Sequence, residues 1–265
     1  MGVLNVTPDS FSDGGRYLDP GRAVAHALEM EAAGADIIDI GGESTRPRGA
    51  HEVSADEELA RVKPVLRRLS GKLRVPISID TRHVEVARVA VDEGVAIIND
   101  ICALADPAMA SLVAKSKCTV VLMHMRGGPA DHIRFARYNN IVVEVVKFLA
   151  ERARYAIASG IARSRIIVDP GIGFAKNSLH NLELIRNLPR LCALGYPVLI
   201  GSSRKTFVRK IAGASAEELL LGTAAIDAIA IANGASIVRV HEPGPARVAV
   251  AIAAAISRGN FTARI

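Results

Sequence analysis

Polar residues of kinds that strands rarely hold recur in this chain at the ends of short runs of valine, isoleucine and leucine. They are Asn5, Asp39, Asp80, Asn99 with Asp100, His124, Asp169, Ser202 with Ser203, and Arg239 with His241. A single acid at such a place is accounted for as the cap of a following helix. A series of them at the same end of successive strands points to a shared site. Arg239 and His241 flank Val240 and, two residues apart in a strand, project to one side. Arg46 follows the second predicted strand, and Lys205 ends the string SSRK at the start of a predicted helix. Together they bring cationic groups to one mouth, an arrangement suited to pyrophosphate with a carboxylate nearby. The imidazole adds a group that accepts a proton. Arg204 reads as solvated.

The acids ask for a different ligand feature. Asp80, Asn99 and Asp169 come from three strands, and in apolar surroundings each needs a partner. A flat heterocycle with a 2-amino-oxopyrimidine edge offers N–H donors to the carboxylates and acceptors to the amide. Metal coordination by the same trio is the alternative. It is the weaker reading, because metal catalysis favours a tighter His/carboxylate set.

The elements that must position these groups follow from a repeated joint: a helical stretch, a glycine, then a short β-branched run. Gly34, Gly94, Gly160, Gly195 and Gly234 stand where a helix ends in a left-handed residue. With strands around Val3–Val6, Pro76–Ile79 and Thr119–Met123, eight candidates result, separated by amphipathic segments such as Ala55–Leu69 and Ile141–Ser159. Strands of this kind alternating with helices imply a parallel sheet buried on both faces. A length of 265 residues, near the ~250 typical of such folds, favours a (β/α)8 TIM barrel as one domain over 1–265. The alternative is an open Rossmann-like sheet, which the lack of an early G-x-G-x-x-G disfavours.

Composition narrows the class further. A net charge of +6 is spread over many helices and only 4% of residues are aromatic, so neither the basic stripe nor the stacking platforms of a nucleic-acid binder are present. No apolar run nears the ~20 residues of a membrane span, and Asn5 and Asp9 argue against a secretory leader. Cys102, Cys118 and Cys192 are far apart in apolar contexts, as core thiols of a cytoplasmic protein would be.

The strings MGVLNVTPDSFSDGG, IDIGGESTRP, ISIDT, IIND, VLMHM, DPGIGFAKNSLHNLELI, GSSRKTF and IVRVH run in order over nearly the whole chain. In series they resemble the dihydropteroate synthases, enzymes that join a dihydropterin pyrophosphate to p-aminobenzoate. The resemblance implies that Asp80, Asn99, Asp169 and Lys205 bind the pterin, with Met123 and Phe174 lining its slot. It implies that Asn5 holds Mg2+ with the diphosphate, and that Arg46, Arg239 and His241 bind that diphosphate. Phe11, Thr45, Pro47 and Ser203 match positions enclosing p-aminobenzoate, and Asp39 matches a supporting acid. Asp80, Asp169, Lys205, Arg239 and His241 form the catalytic set, and a homodimer is implied. Pterin-dependent corrinoid methyltransferases resemble the same family but handle no pyrophosphate; that class and a non-catalytic pterin-binding paralogue are the alternatives.

Arg48, Glu242 in HEPGP, and ICAL after IIND depart from the family pattern, with Glu242 expected to alter how His241 is oriented. Met1 already lies in the first strand, so a barrel floor lacking the family's hairpin is expected to be more open. Charge dictates the chemistry: the methylene–oxygen bond breaks as cations stabilise the leaving pyrophosphate, the pterin ring spreads the positive charge, and the aniline nitrogen attacks. Loops 7–16 and 44–52, rich in Gly, Ser, Asp and Pro, are expected to order over the bound anion. Calorimetry with p-aminobenzoate alone should then show no saturable heat. Added pterin, Mg2+ and pyrophosphate should create a micromolar site, on the order of −8 kcal/mol; tight binding to the empty protein would leave a preformed pocket instead.

Overall fold

The computed structural model describes residues 1–7, 19–43, 52–128 and 131–259. Its strands are β1 (Gly2–Asn5), β2 (Ile38–Gly41), β3 (Ile77–Asp80), β4 (Ile97–Asp100), β5 (Thr119–Met123), β6 (Ile166–Asp169), β7 (Leu199–Ile200) and β8 (Ile237–Val238). β1 to β6 pair in chain order, all parallel, and β7 pairs β8 in parallel. Two bridges join these sheets into a ring. Val168 meets Val198, where Val168 N–H donates to the Pro197 carbonyl at 3.0 Å, and Gly2 meets Val240, where Val3 N–H donates to the Val240 carbonyl at 2.9 Å. Closure of the sheet on itself rules out the open alternative.

The helices are α1 (Pro20–Ala32), α2 (Ala55–Leu69), α3 (Val84–Asp92), α4 (Pro107–Lys115), α5 (Ile141–Ala158), α6 (Ser178–Arg186), α7 (Leu188–Cys192), α8 (Thr206–Ala212), α9 (Ala216–Ala232) and α10 (Pro243–Arg258). Their starts are written locally. Asp19 and Asp106 each cap a helix whose first residue is proline, and Ser215 with Glu218 forms a reciprocal capping box. The five joint glycines all take left-handed backbone, with φ between 74° and 102°. β1, β3 and β5 begin within a residue of the positions expected for them.

Alternation along the strands builds two cores. Leu4, Ile38, Ile40, Ile79, Ile98 and Leu122 point outward and are sealed beneath the helices in one large cluster. Met1, Ile97, Val121, Ile167 and Leu199 point inward and form a separate layer with Ile37 and Ile237. These side chains fill the inner layer at the barrel floor, and the Met1 ammonium donates to the Val238 carbonyl at 2.9 Å. One step up each strand from that apolar layer stand Asp39, Asn99, Asp169 and Arg239. The fold therefore sets charged groups directly on a dry floor. Leu199→Ala should leave those groups in place and lower unfolding free energy by roughly 2–5 kcal/mol, measured by urea denaturation. A loss below 1 kcal/mol would show that the floor does not hold the ring.

Candidate active site

The inward rim is organised around Arg239. Its Nε donates to Asp39 Oδ2 and its Nη2 to Asp80 Oδ2, both at 2.6 Å. Asn99 Nδ2 donates to the same Asp39 oxygen at 3.1 Å. Asp39 is fully buried, and its second oxygen has no partner among the described residues. Strand register makes the cluster possible, since Asp80 lies beside Gly41 on one side and Asn99 on the other. Burial disfavours charge on Arg239, yet Asp39 and Asp80 hold its pKa above the ordinary value. Burial likewise raises the Asp80 carboxyl, to about 7, against the pull of Arg239.

Across the mouth, Asp169 ends β6 and its Oδ1 accepts the Gly171 N–H at 2.7 Å. Burial pushes its carboxyl up to about 6, opposed by that hydrogen bond and by Lys176 and Lys205. The loop that follows needs glycine twice. At Gly171, φ is +68° and a Cβ would lie 2.1 Å from the His124 carbonyl oxygen; at Gly173, φ is +84° and a Cβ would lie 2.9 Å from Lys205 Cδ. This close approach brings Lys205 Nζ to 4.2 Å above the Phe174 ring centroid, a cation–π contact. Burial, then Arg239, lowers the Lys205 pKa to about 8, while Asp169 and Asp80 oppose. Met123 is buried at the end of β5, in register with Asp169.

Ser203 and His241 meet at the neighbouring strand ends, Ser203 Oγ lying 3.0 Å from His241 Nδ1 and accepting the His241 N–H at 3.3 Å. Glu242, expected to act on His241, pairs with Arg204, whose side chain is half exposed. Asn5 ends β1 beside Gly41. Phe11, Thr45, Arg46, Pro47 and Arg48 lie outside the described residues, as do nearly all of loops 7–16 and 44–52.

Three rim residues named from the sequence turn away from the mouth. Asp100 accepts the Cys102 and Leu104 N–H groups at 2.8 and 2.7 Å, holding Ala103 and Leu104 in left-handed backbone. Ser202 donates to buried Asp227 on α9 at 3.0 Å. His124 packs edge-on to Phe148 and is held neutral, its pKa lowered to about 2 by burial and by Lys176 and Arg126. Each follows or precedes an inward residue by one, so strand alternation sends it outward.

Sequence reasoning passed over the residues behind the site. Glu43 accepts Arg82 Nε and Nη2 at 2.9 and 3.0 Å and the Val53 N–H at 3.2 Å. Glu58, buried on α2, meets Thr81 Oγ1 at 3.0 Å and His83 Nδ1 at 2.6 Å. An acid inside the apolar stripe of α2 was the available signal.

Over residues 1–241 the chain matches the pterin binding enzyme family. Dihydropteroate synthase of Bacillus subtilis (strain 168) is 46% identical over 262 residues, covering 98% of this chain and 89% of that protein. Xanthomonas albilineans dihydropteroate synthase with 4-aminobenzoic acid superposes with a TM-score of 0.89 at 44% identity, covering 97% of this chain and 92% of that one. The same enzyme in complex with 7,8-dihydropteroate gives a TM-score of 0.86 at 41% identity, over 97% and 92% of the two chains. With its closed parallel barrel and ring of carboxylates, the chain belongs to the pterin-binding enzyme family. Its place within that family is among the dihydropteroate synthases, transferases of folate biosynthesis.

Burial of Asp169 makes stability depend on pH. Its carboxyl is raised from 3.8 to about 6, so its favourable contribution is complete below the unfolded value and is lost as pH rises through about 6. Asp169→Asn removes that dependence. Relative to the variant, wild-type protein should lose up to roughly 3 kcal/mol between pH 4 and 7.5, followed by urea unfolding of both. A difference constant with pH would place Asp169 in a polar, solvated setting.

Proposed function

We propose that this chain condenses 6-hydroxymethyl-7,8-dihydropterin pyrophosphate with p-aminobenzoate, giving 7,8-dihydropteroate and pyrophosphate. The observation that carries the reading is the ring of Asp80, Asn99 and Asp169 standing over a dry floor with Lys205 and Arg239 at the same mouth. The carboxylates accept the ring N–H and amino donors of the pterin, Asn99 donates to an acceptor on it, and Met123 and Phe174 hold its faces. Burial raises both carboxyl pKa values, and N–H donors from the heterocycle would favour their charged, accepting form. Whole-chain identity to dihydropteroate synthases supports the same assignment over 1–265 as one barrel domain.

The diphosphate lies toward Arg46 and His241. Ser203 fixes the His241 ring, and Ser203 with Phe11, Thr45 and Pro47 bounds the p-aminobenzoate. Arg239 uses two of the five guanidinium donors on Asp39 and Asp80 and offers the diphosphate another. As the methylene–oxygen bond lengthens, these cations stabilise the departing oxygens, and Asp169 and Asp80 stabilise the positive charge spreading into the ring. The aniline nitrogen bonds to the methylene carbon and loses a proton. Mg2+ fits this donor set: it takes one or two protein oxygens with phosphates and waters, and Asn5 at the end of β1 would supply one such oxygen. When bound, Mg2+ neutralises charge on the leaving group.

Association as a homodimer is supported by an apolar stripe on α10, where Val248, Ile252 and Ile256 are exposed, continued by Leu221 and Ile229 on the adjoining α9. Gly222 of α9 faces Val208 and Ala212 of α8. A cytoplasmic setting is supported by three free thiols. None of the described helices is long and apolar enough to cross a membrane.

Pyrophosphate release should require both the pterin substrate and p-aminobenzoate. Release independent of p-aminobenzoate, or absent altogether, would sink the proposed reaction. Asp80→Asn should lower kcat/KM by about a hundredfold or more with circular dichroism unchanged; near-normal turnover in the folded variant would remove Asp80 from the site.

A further inference from the structure

Phe174 is followed by a residue in unusual backbone, Ala175, with φ +50° and complete burial. The peptide joining the two is gripped at both ends. Its carbonyl oxygen, on Phe174, accepts Lys176 Nζ at 2.8 Å, and its N–H, on Ala175, donates to His132 Nδ1 at 2.9 Å. Lys176 is itself tied to the end of β5, through the His124 carbonyl at 3.3 Å and His124 Nδ1 at 3.0 Å. His132 is fully buried on the loop between β5 and α5, and its ring lies 5.4 Å from that of Phe174, tilted by 49°. Phe174 is thereby set between His132 and the Lys205 ammonium.

We propose that His132 is a positioning residue of the pterin slot, holding the Phe174–Ala175 peptide together with Lys176 and so fixing the Phe174 ring against Lys205. The inference rests on Phe174 lining the pterin slot. A peptide plane held at one end still rotates about its flanking bonds; held at both, it does not, and left-handed Ala175 costs free energy unless its surroundings enforce it. Burial, then the charges of Lys205 and Lys176, with Asp131 opposing, keeps His132 neutral. The nitrogen facing Ala175 therefore carries no proton and accepts. The proton sits on Nε2, which is buried with no partner among the described residues. That penalty marks the acceptor nitrogen as what the position requires.

The test compares His132→Leu, which fills space without an acceptor, with His132→Asn, whose amide oxygen can replace Nδ1, and with Phe174→Ala. Binding of a 6-hydroxymethylpterin lacking the diphosphate is measured by calorimetry, alongside thermal melting and steady-state kinetics. His132→Leu should weaken pterin binding by about tenfold, raising the pterin KM more than it lowers kcat, and His132→Asn should restore most of the affinity. If His132→Leu binds like wild type while Phe174→Ala binds weakly, His132 does not position the slot. If His132→Asn matches His132→Leu in affinity, the acceptor is irrelevant and the role is packing alone. Unchanged binding in Phe174→Ala would overturn the placing of Phe174 in the slot, and the proposal with it.

Discussion

A guanidinium held between two carboxylates inside a closed barrel is the constraint on which the rest of this molecule depends. Asp39, Asp80 and Arg239 come from three strands and lie immediately above an apolar layer. Removing Arg239 would leave two buried carboxylates without their shared cation, a loss of several kcal/mol by comparison with other buried pairs, whereas removing either acid leaves the other paired with the guanidinium. Such clusters are poor sources of stability, since apolar side chains of similar volume would serve the fold as well. Their presence at the strand ends is therefore a property of the site. With Asn99 on Asp39 and Lys205 within Coulomb range of Asp80 and Asp169, the mouth is an electrostatically coupled unit. Burial raises the Asp80 and Asp169 carboxyls, and neighbouring cations oppose that shift.

A second tier of polar residues fixes the loops that carry the first. Asp100 and Ser202 face outward and hold the segments after β4 and β7, while Glu43 and Glu58 tie the segments after β2 and β3 to each other and to α2. Lys176 and His132 do the same after β6. Asp100, Glu43, Lys176 and His132 satisfy backbone groups that an irregular loop leaves without strand or helix partners, while Ser202 and Glu58 bond other side chains. These contacts tie down the described loops at the base of the rim.

The arrangement explains how one barrel can serve related chemistries. In the proposed reaction the acids and amide would recognise the heterocycle, whereas the leaving group would depend on cations from other strand ends. A methyltransferase needs the first half only. This chain retains both, with Lys205 and Arg239 bridging them, as expected of a transferase whose electrophile is generated by losing pyrophosphate.

Much of the fold was legible because local physics decides it. Glycine at a helix end, proline after an aspartate cap, and β-branched runs with a period set by the pleat are all properties of a few neighbouring residues. They fixed the strands, the helix starts and the set of polar residues at one rim. The same alternation could also have separated Asp100, His124 and Ser202 from the inward set, since each adjoins an inward residue. What the chain did not display was pairing at a distance. Arg239 was legible as a cation for phosphate, but its two carboxylate partners lie 200 and 159 residues away, and only barrel closure brings them together. Lys176 and His132 were equally silent, because a buried polar side chain is recognised by what surrounds it, and that is decided by packing between elements and not by its sequence neighbours.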